Sequence, residues 1–444
     1  MTRSRRAVRI GGGAGFAGDR IEPAVDLVCR GSLDYLVLEC LGERTIALAQ
    51  LQRLRDPATG YDRLLERRLT ALLAPLVETR TRLVTNAGSA NPLAAAALVA
   101  EVAARLGLGV DVAAVTGDDV LAVLDLESPA WEDGRPLAEH GEIVSANAYI
   151  GAAELLPALE TGARVVVAGR AADPSLCVAP LLHEIGGSLE DWGLLATFTM
   201  AGHLLECAGQ VTGGYYADPP AKVVPALANL GFPIARVTAD GALELSKLAG
   251  SGGIVDFHSV AEQLTYEVED PSGYVTPDVV LDITAVGIDD LGDDRVLLEG
   301  ARGRQRPELL KVSVGYRAGF RCEGEISYAG RSAVSRARLA GEVVSQRLAG
   351  RLKRLRVDLV GLSSIHGEEL AEGREPYECR LRVATVAASR EEAEVVGDEV
   401  MSLYTNGPAG GGGIRVHIDE VIGVLSSSVP REAVRAEVTY RAAS

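Results

Sequence analysis

Short apolar, β-branched runs alternate with segments of helical periodicity through the first half of this chain, and that alternation constrains its fold more than any other feature. AVRIG (7–11), LDYLVLEC (33–40), RLVTNAG (82–88), VDVAAVTGDD (110–119) and GARVVVAGRAADP (162–174) each read as a short buried strand. Helical patterns fall between them at 21–31, 45–54, 62–77 and 149–160, with an alanine-rich helix after Asn91-Pro92. Asn91 reads as the N-cap and Pro92 as the first helical residue. Strands that are apolar on both faces and separated by helices form a parallel sheet covered on both sides.

The second half differs. PIARVTADGALELS (233–246) predicts a hairpin around Asp240-Gly241, and long strands with few helices follow, the helices near 257–264, 329–349 and 390–404. The expected fold is α/β: an N-terminal, mostly parallel, doubly wound sheet (7–220), then an α+β domain with a mixed or antiparallel sheet (221–444). The boundary falls in YYADPPAKVVPALANLGFP (215–233), where four prolines punctuate the chain.

With 47% hydrophobic and 24% charged residues, 444 residues are enough for two cores. A net charge of −17 argues against nucleic acid and anionic membranes as partners, because both demand a basic face. The six cysteines stand singly with no C-x-x-C, and no histidine cluster occurs, so no metal is expected. No apolar run approaches a membrane span, and the basic start MTRSRRAVRI has no apolar stretch behind it. A cytoplasmic protein is the expectation.

Gly13, Gly15 and Gly18 in RIGGGAGFAGDR spell G-x-G-x-x-G, the spacing of a dinucleotide turn. Such a turn needs the helix to begin among the glycines. Pro23 puts the helix start near residues 20–22 instead, and Asp19 and Arg20 fall where a pyrophosphate would lie. A substrate-facing loop at the C-terminal end of a parallel strand fits better, with Gly13, Gly15 and Arg20 as binding candidates. Plain turn structure is the other alternative.

Further polar loops follow strands at the same edge, where open α/β sheets hold ligands. ECLGER (39–44) is one. TNAGSAN (85–91) offers Asn86 and Gly88 as donors to a carboxylate or enolate oxygen, or as turn residues. GRAADPS (169–175) offers Arg170 for a substrate carboxylate and Asp173 as acid or base, or the two pair with each other at the surface. In HLLECAGQVTGGYY (203–216), a helix reaching about Gly209 puts His203, Glu206, Cys207 and Gln210 on one face. His203 and Glu206 suit proton transfer, with Gln210 and Tyr215 beside them; Glu206 holding backbone amides is the structural alternative. KLAGSGGIVD (247–256) lacks the order of a P-loop, and YTNGPAGGGGIRVHID (404–419) places Arg415, a further binding candidate, after four glycines. No G-x-S-x-G nucleophile elbow occurs.

RIGGGAGFAGDR, DYLVLE, LVTNAGSANP, AGRAADPS, ECAGQVTGGYYADP and TNGPAGGGG, in this order, resemble the acyclic terpene utilisation (AtuA-type) family, over about residues 8–432. The resemblance implies a role in catabolism of branched or carboxylated acyl compounds as CoA thioesters, with carbon–carbon or carbon–oxygen lyase chemistry. It carries no catalytic residues with it. Many members continue into a short C-terminal domain; either that part is unnecessary here or a separate small subunit supplies it, and the expectation is the separate subunit, along with a homo-oligomer.

Two functions follow. The first is a lyase or hydratase acting by acid–base chemistry next to a carbonyl, with Glu206, His203 and Asp173 catalytic and a CoA thioester as substrate rather than cofactor. The second is a non-catalytic acyl-CoA-binding or scaffolding subunit of a larger complex. A dinucleotide-dependent oxidoreductase is a lesser third.

Overall fold

A computed structural model describes residues 7–443. They form two compact units, one comprising residues up to Leu137, Val144–Gly315 and Val424 onward, the other Ala138–Ile143 and Tyr316–Gly423.

The first unit is built on a ten-stranded mixed sheet. Its strands include β1 (Ala7–Ala14), β2 (Tyr35–Leu38), β3 (Arg82–Thr85) and β4 (Val112–Thr116). Next come β5 (Ile143–Ala148), which pairs with Leu309–Ala329 outside this sheet, and β6 (Val165–Ala168). In space the order is β1-β2-β3-β6-β4, every pair parallel. Antiparallel strands extend both sides. β7 (Pro233–Thr238) pairs with β1 and β8 (Leu243–Lys247) with β7, followed by Arg295–Glu299 and Gly287–Gly292; at the other edge Glu437–Arg441 pairs with β4.

Alternation within each parallel strand builds two cores. Leu36, Leu38, Leu83, Val165 and Val167 face one way, packed with residues of α1 (Glu22–Arg30), α3 (Leu65–Thr79) and α4 (Pro92–Arg105). Tyr35, Val37, Val84, Val166 and Ala168 face the other, with α5 (Ala152–Glu160), α6 (Ser175–Ile185) and α7 (Trp192–Glu206). The sheet is thus doubly wound, as the alternation predicts. Each fully buried Leu or Val contributes roughly 1.5–3 kcal/mol. α2 (Glu43–Arg55) follows β2 directly. Asn91 caps α4 by accepting from the Ala94 N–H at 3.3 Å, and Pro23 opens α1. Every residue of α7 from Leu195 to Glu206 is buried, because this helix is apolar nearly all round.

The proline-rich stretch 215–233 lies inside the first unit. The hairpin that follows extends the sheet begun by β1, because Ile234, Ala235 and Val237 are buried only once β7 pairs there. A division at 220 and 221 is therefore not the division between these units. The second unit is α+β. Arg356–Val360, Glu378–Ala387 and Leu309–Ala329 are antiparallel neighbours, joined by Gly412–Pro430, and helices Ala333–Leu348 and Arg390–Asn406 bury Val344, Val396 and Leu403 in its core.

Candidate active site

At the C-terminal ends of the parallel strands the first unit forms an open cavity of about 810 Å³. Its wall is assembled from the loops after β1 and β2, from Asp173 after β6, from the end of α7, and from residues 214–215, 227–232 and 266–267. Among the described residues six carboxyl side chains line it, Asp19, Glu39, Glu43, Asp173, Glu206 and Glu267, against one basic side chain, Arg20.

The glycines of the first loop have a steric purpose. A Cβ on Gly15 would lie 2.4 Å from the carbonyl carbon of Cys207, and one on Gly12 would lie 2.6 Å from the Leu205 carbonyl oxygen. The end of β1 therefore passes the end of α7 at backbone contact, which only glycine permits. The loop's donors are also in use: the Gly15 N–H donates to Asp19 Oδ2 (2.9 Å) and the Arg20 N–H to Asp19 Oδ1 (2.8 Å). Arg68, 1% exposed, reaches from α3 to the carbonyls of Phe16 and Ala17. α1 starts only at Glu22, so no helix N-terminus meets these glycines.

Glu39 closes β2. Its Oε1 accepts from the Leu41 N–H (2.6 Å) and from Asn86 Nδ2 (3.0 Å), while Asn86 Oδ1 accepts from the Cys40 N–H (2.7 Å). Burial, reinforced by the charge of Asp173 and opposed by Arg170, pushes its carboxyl up to about 8.

Arg170 is fully buried behind the wall. Its guanidinium donates to the carbonyls of Leu41 and Ala171 and to Asp173 Oδ1, and it lies 4.4 Å over the Tyr149 ring. Burial disfavours its charge, but Asp173, Tyr149 and Glu39 more than offset this, so it stays cationic. Asp173 has 35% of its side chain open and borders both this cavity and a neighbouring one of about 230 Å³, where Tyr149, Tyr274 and Lys311 stand. Burial raises its carboxyl above the ordinary range despite the bond from Arg170. Glu43 goes the other way: burial is outweighed by the Tyr149 hydroxyl donating at 2.5 Å and by Lys311 Nζ at 3.1 Å, leaving its carboxyl at about 2.

At the end of α7, His203 Nδ1 and Glu206 Oε1 are 2.8 Å apart, the i,i+3 contact expected of one helix face. Glu206 Oε2 is buried and has no hydrogen-bond partner among the described residues. Burial lifts the Glu206 carboxyl to about 7, with His203 pulling down and Asp173 and Glu267 pushing up. His203 is buried at 1% exposure, which disfavours its cation, yet Glu206 and the nearby Gln263 and Leu264 carbonyls raise its pKa. Its Nε2 makes no hydrogen bond of ordinary geometry to those carbonyls. The α-helix ends at Glu206, and a 3₁₀ turn at Ala208–Gln210 carries the chain on.

Of the residues singled out from sequence, Gly15, Arg20, Asp173, Glu206, Gln210 and Tyr215 line the large cavity, and His203 stands directly behind Glu206. Asn86 and Arg170 sit one layer deeper, where they hold Glu39 and Asp173 rather than face open space. The Arg170–Asp173 pair is thus no surface pair. Gly13 packs in the core against Leu36 and Leu38, and Gly88 against the Ala168 carbonyl. Arg415 belongs to the second unit. Glu43, Glu267 and Tyr266 line the cavity without having been singled out; no local pattern marks an acid whose burial depends on distant loops. Among the described residues no group of three or more His, Cys, Asp or Glu is arranged to hold a metal ion, and no helix is long and apolar enough to cross a membrane.

Fold and cavity together define an α/β protein with a carboxyl-lined pocket at the C-terminal edge of a parallel sheet. Residues 8–440 match the family described as acyclic terpene utilisation family protein AtuA, and the chain belongs to that family. Compared with curated proteins and with solved structures, the chain matches none.

Proposed function

We propose that the protein is a lyase or hydratase that works by acid–base chemistry beside the carbonyl of an acyl substrate, with a CoA thioester as the natural form of that substrate. The observation that carries this reading is Glu206: a cavity-lining carboxyl with one oxygen on His203, the other buried and unpartnered among the described residues, and a pKa of about 7. A general base is most effective when it titrates near the working pH, and a histidine behind it fixes its orientation. The thioester carbonyl acidifies the neighbouring C–H. Glu206 takes that proton, and the electron pair passes to the carbonyl oxygen. Leu41, Leu230 and Phe232 supply apolar wall for the acyl part, and Arg20 stands at the cavity for an anionic group.

The half-reaction can be tested without knowing the leaving group. A saturated branched acyl-CoA incubated with the protein in D2O should gain deuterium at Cα, read by mass spectrometry, and Glu206→Gln should slow the gain by about 100-fold or more. Acyl-CoA binding with no exchange would refute catalysis and support the non-catalytic binding subunit instead.

A further inference from the structure

Removing an α proton leaves charge on the carbonyl oxygen, and a group that protonates that oxygen lowers the barrier. Arg170 is spent on carbonyls and on Asp173, and Glu43 is an ionised acceptor. Glu39 is differently arranged. It is 7% exposed, borders the cavity, and stands where the backbone is pinned by β1 on one side and β3 on the other. Both hydrogen bonds it accepts converge on Oε1, from the Leu41 N–H and Asn86 Nδ2, while Oε2 has no hydrogen-bond partner among the described residues. Two donors on one oxygen and none on the other is the pattern of a neutral carboxylic acid, whose carbonyl oxygen accepts and whose hydroxyl is left to donate.

We infer that Glu39 is a second catalytic carboxyl of this cavity, donating its Oε2 proton to the substrate carbonyl oxygen as Glu206 removes the α proton. This rests on the acid–base reading given above. The step balances without a cofactor. The C–H pair becomes the carbon–carbon π bond of an enol, the carbonyl π pair takes the proton from Oε2, Glu39 becomes a carboxylate and Glu206 becomes an acid. Return of the two protons, or departure of a β substituent, completes the cycle.

The groups facing Glu39 favour its protonated start. Asp173 opposes its ionisation from the loop after β6, beside Arg170, which favours it. Cys40 and Cys207, both pushed up by burial, are neutral thiols, and Asn86 carries no charge. Burial among these groups holds the carboxyl at about 8, high enough to keep its proton at neutral pH.

The test compares wild type, Glu39→Gln, Glu39→Asp and Glu206→Gln in the deuterium-exchange assay, with acyl-CoA binding by calorimetry and the protonated-carboxyl band by difference infrared spectroscopy. Expected are exchange slowed about 100-fold in Glu39→Gln with binding unchanged, loss of the alkaline limb of its pH profile, and partial rescue in Glu39→Asp. Wild type at neutral pH should show a protonated-carboxyl band that Glu39→Gln lacks. Exchange in Glu39→Gln within about threefold of wild type, with Glu206→Gln inactive, would overturn this inference and leave the acid–base reading standing. If wild type does not exchange, that broader reading fails, and the infrared band still decides: an ionised Glu39 at neutral pH refutes the role. Should Glu39→Gln fail to fold, a shift of that band in Glu39→Asp assigns it.

Discussion

Glu39→Gln should make the protein more stable at alkaline pH and leave it almost unchanged in mild acid. An ordinary glutamate titrates near 4.5, and Glu39 is pushed up to about 8 because ionising it means placing a charge in a buried site next to Asp173. At about 1.4 kcal/mol per pH unit between those values, ionising the folded protein costs on the order of 4–5 kcal/mol, part of it shared with Asp173. The sign follows from proton binding. Between pH 4.5 and about 8 the folded chain holds this proton and the unfolded chain does not, so the stability fully present below 4.5 is lost as pH rises through about 8. Glutamine never ionises, and its amide oxygen can still accept from the Leu41 N–H and Asn86 Nδ2. Urea unfolding followed by tryptophan fluorescence suits the measurement, since Trp131 and Trp192, the only tryptophans, both lie in the first unit. The variant should match wild type within about 1 kcal/mol near pH 5 and exceed it by several kcal/mol near pH 9. A difference independent of pH, or a variant weaker at alkaline pH, would refute the reasoning. Such a gain alongside slowed exchange would also mark Glu39 as a group retained for activity at the expense of stability.

Arg170→Met should lower unfolding free energy by about 3–5 kcal/mol, because the Leu41 and Ala171 carbonyls are left buried, and Asp173 half-buried, without their donor; a loss below about 1 kcal/mol in urea titrations would contradict the buried network. Gly15→Ala should cost about 1–3 kcal/mol and reduce acyl-CoA binding, since its Cβ would meet the Cys207 carbonyl carbon at 2.4 Å. An unchanged melting temperature would mean that the strand and helix ends are not in backbone contact.

How much of this was readable in advance varied with how local the determining chemistry is. The doubly wound sheet follows from five apolar runs and the helical patterns between them, and the Asn91 cap and the 240–241 turn follow from a few neighbouring residues. The edge carrying the cavity was also readable, because loops after parallel strands converge there whatever their detail. Residue roles were not. Asn86 and Arg170 look like ligand donors in sequence, yet their partners are Glu39 and the Leu41 carbonyl, supplied by another loop. Glu267 reaches the cavity only because the segment after helix Phe257–Thr265 folds back over it. The discontinuous units were hidden too: strands Leu309–Ala329 and Gly412–Pro430 each contribute residues to both, and an unbroken strand shows no boundary in its pattern.

The strand Glu437–Arg441 completes one edge of the large sheet by pairing with β4, whose Thr116 lies 321 residues before Glu437. A ribosome that has finished β4 and β6 has therefore made a parallel sheet whose outer flank stays open until Glu437–Arg441 emerges. Nascent chains and prematurely terminated products carry an unpaired β4, a template for joining the same strand of a neighbouring chain on a polysome. Quality control of this protein would then fall on whether the strand Glu437–Arg441 is made and reaches β4.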